Sequence, residues 1–144
     1  MTMSTIIRIS LITWLAAWLL TGCAGMSNKP APLAEPADPQ ALPALEGDYA
    51  INGTDMTDAA YGGTLHIDPG IAPHTYSLTW LLTESIQEGG GHTEGNQLIA
   101  RWQSQDGSLS GTVTYTITIA GQLDGIRTID GVSGESRERG YPNR

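Results

Sequence analysis

An all-β fold is predicted: a small antiparallel meander of six to eight strands, closed or nearly closed into a barrel, with a two-sheet sandwich as the alternative. Three observations predict it. First, residues 111–119 alternate strictly, with Val113, Tyr115, Ile117 and Ile119 on one face and Thr112, Thr114, Thr116 and Thr118 on the other. Period two with β-branched residues is the pattern of a pleated strand. Second, turn-forming pairs recur at intervals too short for crossover connections, so neighbouring strands must run antiparallel. Third, no window from Glu46 onward holds an i, i+3, i+4, i+7 apolar repeat. Closing the sheet would remove its exposed edges.

The elements follow in order. Tyr76, Leu78, Trp80 and Leu82 repeat the alternation and point inward, with Ser77 and Thr79 between them. Thr64-Leu65-His66-Ile67-Asp68 and Leu98-Ile99-Ala100-Arg101-Trp102 are shorter versions. Turns are expected at Asp68-Pro69-Gly70, Gly89-Gly90-Gly91, Gly95-Asn96, Asp106-Gly107 and Ala120-Gly121. Asp-Gly is a hairpin signal because glycine tolerates the positive φ that tight turns require. Asn52-Gly53-Thr54 also reads as a turn, and Arg137, Glu138, Arg139 and Arg144 as a strand end with a polar, frayed tail.

The N-terminal part divides differently. A single cation, Arg8, precedes a largely apolar run over residues 9–20 that includes Trp14 and Trp18. Its twelve residues rise only about 18 Å as a helix, short of a ~30 Å hydrocarbon core, so a cleaved signal peptide is favoured over a membrane span. The run closes on Leu20-Thr21-Gly22-Cys23, which resembles the bacterial lipobox. The resemblance implies cleavage after residue 22 and acyl chains on Cys23. Two or three chains would make a durable membrane anchor where one would not. Ala24 rather than Asp follows the cysteine; by the same resemblance the destination is the outer membrane, with the periplasmic face expected. The expected organisation is thus a signal peptide over 1–22, a lipidated tether over 23–45 and a β domain over 46–144. Pro30, Pro32, Pro36, Pro39 and Pro43 mark residues 25–45 as an extended, solvated spacer, able to reach some ~60 Å. Cys23 is the single cysteine, so the domain has no disulfide and depends on its core.

The remaining pattern is similar to the small lipocalin- or avidin-like domains of bacterial lipoproteins. It comprises Gly47-x-Tyr49, Tyr61-x-Gly63-Thr64-Leu65-x-Ile67, Tyr76-x-Leu78-x-Trp80, Gly95-Asn96-x-Leu98-x-x-x-Trp102, Gly111-x-Val113-x-Tyr115-x-Ile117 and Gly121-x-Leu123-x-Gly125. The resemblance implies a barrel that binds a ligand or partner, and it brings no functional residue with it.

The formal charge of −8 becomes one unit more negative once Arg8 leaves with the signal peptide. Nucleic acid is therefore excluded as a partner, since its phosphates would be repelled. No catalytic constellation appears. G-x-S-x-G and HExxH are absent, and the acids Glu84 with Glu88, or Asp124 with Asp130, carry no spacing that sets an acid/base pair. His66-x-Asp68 and His92-x-Glu94 are too sparse for a metal centre, which needs three or four converging ligands. No cofactor is expected.

Two sets of residues remain as binding candidates. Tyr49, Tyr76, Trp80, Trp102 and Tyr115 fall at inward positions, where they either fill a narrow barrel or line a pocket for a small amphipathic ligand. Gly89, Gly90, Gly91 and His92 form the most distinctive stretch, read as a loop at the barrel mouth that meets a partner. The leading expectation is a lipid-anchored binding module for an envelope protein or glycan. A carrier of a small hydrophobic molecule is the second, and an inhibitor of a cell-wall hydrolase the third.

Overall fold

A computed structural model describes residues 30–143. The leader and Cys23 lie outside the described residues. Eight strands run in chain order: β1 (Gly47–Thr54), β2 (Ala60–Pro69), β3 (Thr75–Leu82), β4 (Ile86–Glu94), β5 (Gln97–Ser104), β6 (Ser110–Ile117), β7 (Leu123–Ile129) and β8 (Ser136–Pro142). Each pairs antiparallel with the next, and β8 returns to β1 through Tyr49↔Pro142 to Thr54↔Arg137, so the meander closes into a barrel. The barrel, rather than the sandwich, is the outcome of the periodicity.

Alternation along each strand sorts residues as expected. Tyr49 and Ile51 of β1, Leu65 and Ile67 of β2, Leu78 and Trp80 of β3, Leu98 and Trp102 of β5, and Val113, Tyr115 and Ile117 of β6 are buried inside. Outward positions carry polar groups such as His66, Glu88, His92 and Arg101. This is the reverse of a membrane-spanning barrel, whose outer band is apolar.

Several expectations are corrected. Gly89, Gly90, Gly91 and His92 are not a loop but the middle of β4, paired with Leu78 through Thr75 of β3 and Trp102 through Ile99 of β5. Their glycines have a volume role. Gly89 stands between Leu78 and Trp102 in the ladder, and Gly111 stands beside Trp102 on the other side. A Cβ on Gly111 would lie 1.9 Å from the Thr128 carbonyl oxygen and 2.8 Å from the Trp102 ring. The bulky indole thus fits against Gly111 because that neighbour has no side chain, whereas a Cβ on Gly89 would meet the Arg101 carbonyl oxygen at 2.0 Å. Positive φ is taken by other glycines, among them Gly95, Gly107, Gly121, Gly131 and Gly134 in the turns.

Asn52-Gly53-Thr54 is likewise strand, the upper part of β1. Arg137, Glu138 and Arg139, read as a strand end, lie within β8, which closes the barrel, and Arg144 lies outside the described residues. Ile119 leaves the inward series because the chain turns over residues 118–122; it is 63% exposed, and Thr118 is buried in its place.

The spacer reading also fails over its second half. Pro36 bridges Thr118, the Ala37 amide donates to the Ile117 carbonyl at 2.8 Å, and the Ile119 amide donates to the Glu35 carbonyl at 2.8 Å. Gln122 clasps the same segment, accepting from the Ala34 amide at 2.8 Å and donating to the Pro32 carbonyl at 2.9 Å. Ala37 and Leu45 are buried, with the Tyr49 hydroxyl donating to the Leu45 carbonyl at 2.9 Å. Proline keeps this segment extended, and an extended strap can lie across the end of a barrel as readily as it can span water. Residues 31–143 consequently belong to one compact unit.

Candidate functional site

The strap, with turns 70–74, 95–96 and 118–122, occupies one end of the barrel; turns 55–59, 83–85, 105–109 and 130–135 form the other. The interior nearer the strap is apolar. Toward the opposite end the interior becomes polar, and six strands contribute: Tyr61 of β2, Trp80 of β3, Gln87 of β4, Trp102 of β5, Arg127 of β7 and Glu138 of β8. Tyr115 of β6 reaches the cluster from below with its hydroxyl.

Glu138 is the hub and is wholly buried. Its Oε1 accepts from the Trp80 indole N–H at 3.1 Å and from the Tyr115 hydroxyl. Its Oε2 accepts from the Tyr61 hydroxyl at 2.7 Å and from Arg127 Nη1 at 2.6 Å. Arg127, 4% exposed, donates its other Nη to the Gln87 side-chain oxygen. The guanidinium also lies over two indoles, 4.6 Å from the Trp102 ring centre and 5.4 Å from that of Trp80. A buried charge is tolerable only when paired and hydrogen-bonded, and these partners meet that condition.

The network shifts its members in consistent directions. Burial, then the Glu138 charge, pushes the Tyr115 and Tyr61 hydroxyls well above the usual phenol range, so both remain donors. Burial opposes the Arg127 charge, but the Glu138 carboxylate outweighs it and the net shift is upward. The cluster is a set of fixed donors around one carboxylate. Trp102 Nε1 is the one buried side-chain polar atom without a hydrogen-bond partner among the described residues.

Of the five aromatic candidates, Tyr49, Trp80, Trp102 and Tyr115 are buried inside, whereas Tyr76 is half-buried near the strap end. Trp80, Trp102 and Tyr115 join the polar cluster; Tyr49 instead secures Leu45. The sequence reading missed Arg127 and Glu138. A signal existed, since Arg127 shares the parity of Leu123 and Gly125, both inward.

The other titratable candidates are dispersed. Asp124 sits outside the barrel, accepting from Arg137 at 3.0 Å and Arg139 at 3.2 Å. Asp130 pairs with Arg101 at 2.6 Å, and Glu84 lies in the β3–β4 turn. His66 is on the outer face with its ring nitrogens 2.6 Å from Asp48 and 3.2 Å from Asp68. The hydrogen bond to Asp48 and the Asp68 charge raise its pKa. Among the described residues no group of three His, Cys, Asp or Glu side chains is arranged to hold a metal ion.

No protein-family profile matches the chain, and no curated protein does. Among solved structures, the fold is similar to that of a redesigned β-barrel, mFAP1, bound to DFHBI: TM-score 0.55 and 16% identity, over 67% of this chain and 91% of that one. At that identity the likeness is one of fold.

Proposed function

We propose that this protein is an envelope binding module that works through its exterior, with the barrel as a rigid scaffold. One observation carries the reading: the interior is occupied by its own aromatic side chains and locked by the Glu138–Arg127 network, so the outer wall and turns are the surfaces left for recognition. The charge pattern agrees. Each arginine among the described residues is already paired, Arg101 with Asp130, Arg127 with Glu138, and Arg137 and Arg139 with Asp124. Glu35, Asp38, Glu46, Glu84, Glu88 and Glu94 have no such cation among the described residues, which suits a basic partner. The lipobox-like Leu20-Thr21-Gly22-Cys23 would confine the module to a membrane surface and raise its effective concentration there. In-cell crosslinking of the full chain tests this. A reproducible basic neighbour is expected, and a barrel that recovers no neighbour would overturn the reading.

The carrier reading retains one specific observation, the unpartnered Trp102 N–H beside Arg127. The redesigned barrel mFAP1, similar in fold, is bound to DFHBI, which is compatible with this reading. Native mass spectrometry of the chain released from its own envelope separates the two. Extra mass lost in Trp102→Phe would favour the carrier, and a bare mass the exterior-acting module.

A further inference from the structure

The outer wall is not uniformly convex. Across β5 to β8 it carries an open groove of about 460 Å³, floored by Thr112, Thr114 and Thr116 of β6 and walled by Gln97, Ile126 and Arg137. Its origin is local: β6 presents short threonines outward, while the flanking strands present long side chains. The fourth threonine of the series, Thr118, is paired with Pro36 of the strap and buried, and does not line the groove.

We infer that this groove binds a hydroxyl-rich saccharide chain, and the inference rests on the reading of the barrel as a module that acts through its exterior. The chemistry of the groove selects the ligand. The Thr114 and Thr116 hydroxyls make no hydrogen bond among the described residues, whereas Thr112 is engaged by Arg101 at 3.4 Å. A hydroxyl both donates and accepts, which matches the sugar hydroxyl. Along a strand, residues two apart repeat at ~6.8 Å, so the floor presents a regular row of hydroxyls and methyls. At its edge, Asp124 is fixed by two arginines, Arg137 and Arg139, giving polar groups already oriented for paired hydrogen bonds. Of the charged side chains that line the groove, Asp124 is paired with Arg137 and also with the neighbouring Arg139, while Glu135 has no paired cation among the described residues. The rest of the lining is uncharged, which suits an uncharged ligand.

Two further facts disfavour a peptide here. The closed barrel has no edge strand, so no chain can add by backbone pairing. The groove also offers little apolar anchorage, Ile126 being its one large hydrophobic side chain. With the threonine methyls, Ile126 instead gives the C–H face of a sugar ring a shallow apolar contact.

The test is an amide-shift titration of the 15N-labelled full chain with two probes, chitotetraose and maltoheptaose. Shifts centred on Thr112, Thr114 and Thr116 are expected with at least one. The variant Thr114→Val/Thr116→Val keeps shape and strand preference but removes two hydroxyls; it should weaken binding about 10-fold or more. If the double variant loses its dispersed spectrum, Thr114→Val alone serves, with a smaller weakening expected. Absence of shifts with both sugars, or shifts unchanged in a folded variant, would overturn the proposal. Because protein crosslinking reads a different surface, a recovered neighbour alongside a silent titration would remove the saccharide and leave the module standing.

Discussion

Glu138 and Arg127 sit where a single substitution separates pairing from burial. Removing one partner of a buried ion pair leaves the other charge without compensation, which typically costs about 3–5 kcal/mol. Glu138→Gln should therefore lower the urea midpoint strongly, as should Arg127→Met. The double variant Arg127→Met/Glu138→Gln removes both charges, and it should be more stable than the sum of the single losses predicts; simple additivity would show that the two side chains are not energetically coupled. A second residue-scale prediction concerns His66. Its pKa is raised in the folded state by Asp48 and Asp68, so its contribution is fully present below the unfolded value of ~6.5 and is lost as pH rises through the folded value. NMR titration should place its midpoint above the ~6.5 of a free imidazole, and Asp48→Asn should bring it down. Parity alone located the aromatic residues inside; what it did not convey is that two charged residues share that parity, because an inward charge is stable only with partners from four other strands.

At the scale of elements, β6 was legible because alternation and β-branching coincide there. β4 was not. Its glycines look like loop residues in isolation, and their role shows only once β4 is paired with β5, where a Cβ on Gly89 or Gly91 would run into the Arg101 or Ile99 carbonyl oxygen. The strap misled for a related reason: five prolines specify an extended backbone but say nothing of what lies beneath it. Its contribution is measurable. Leu45 is 1% exposed at the strap end of the interior, and burial of that kind makes Leu45→Ala cost about 2–5 kcal/mol. Chemical denaturation should show that loss. A change within ~0.5 kcal/mol, the range of surface substitutions, would mean that the strap is dispensable to the barrel.

The whole molecule combines a closed architecture with a one-sided charge balance, and the two act together. Closure satisfies the backbone groups of every strand, so association cannot proceed by strand addition and must use side chains. The charged ones among them are mainly acidic, and the exposed arginines are already committed to Asp124 and Asp130. A partner that complements this surface would be steered by long-range attraction, which shortens with salt: the screening length falls from about 10 Å at 0.1 M to about 3 Å at 1 M. Such steering acts chiefly on the association rate, while contacts within the interface set dissociation. Capture of a basic envelope protein by the full chain should thus slow several-fold between these salt concentrations, with dissociation changing much less. Reversing one exposed acid, as in Glu94→Lys, should lower the association rate at low salt and have little effect at high salt. If the rate proves indifferent to salt and to the reversal, the acidic surface is not what recruits the partner.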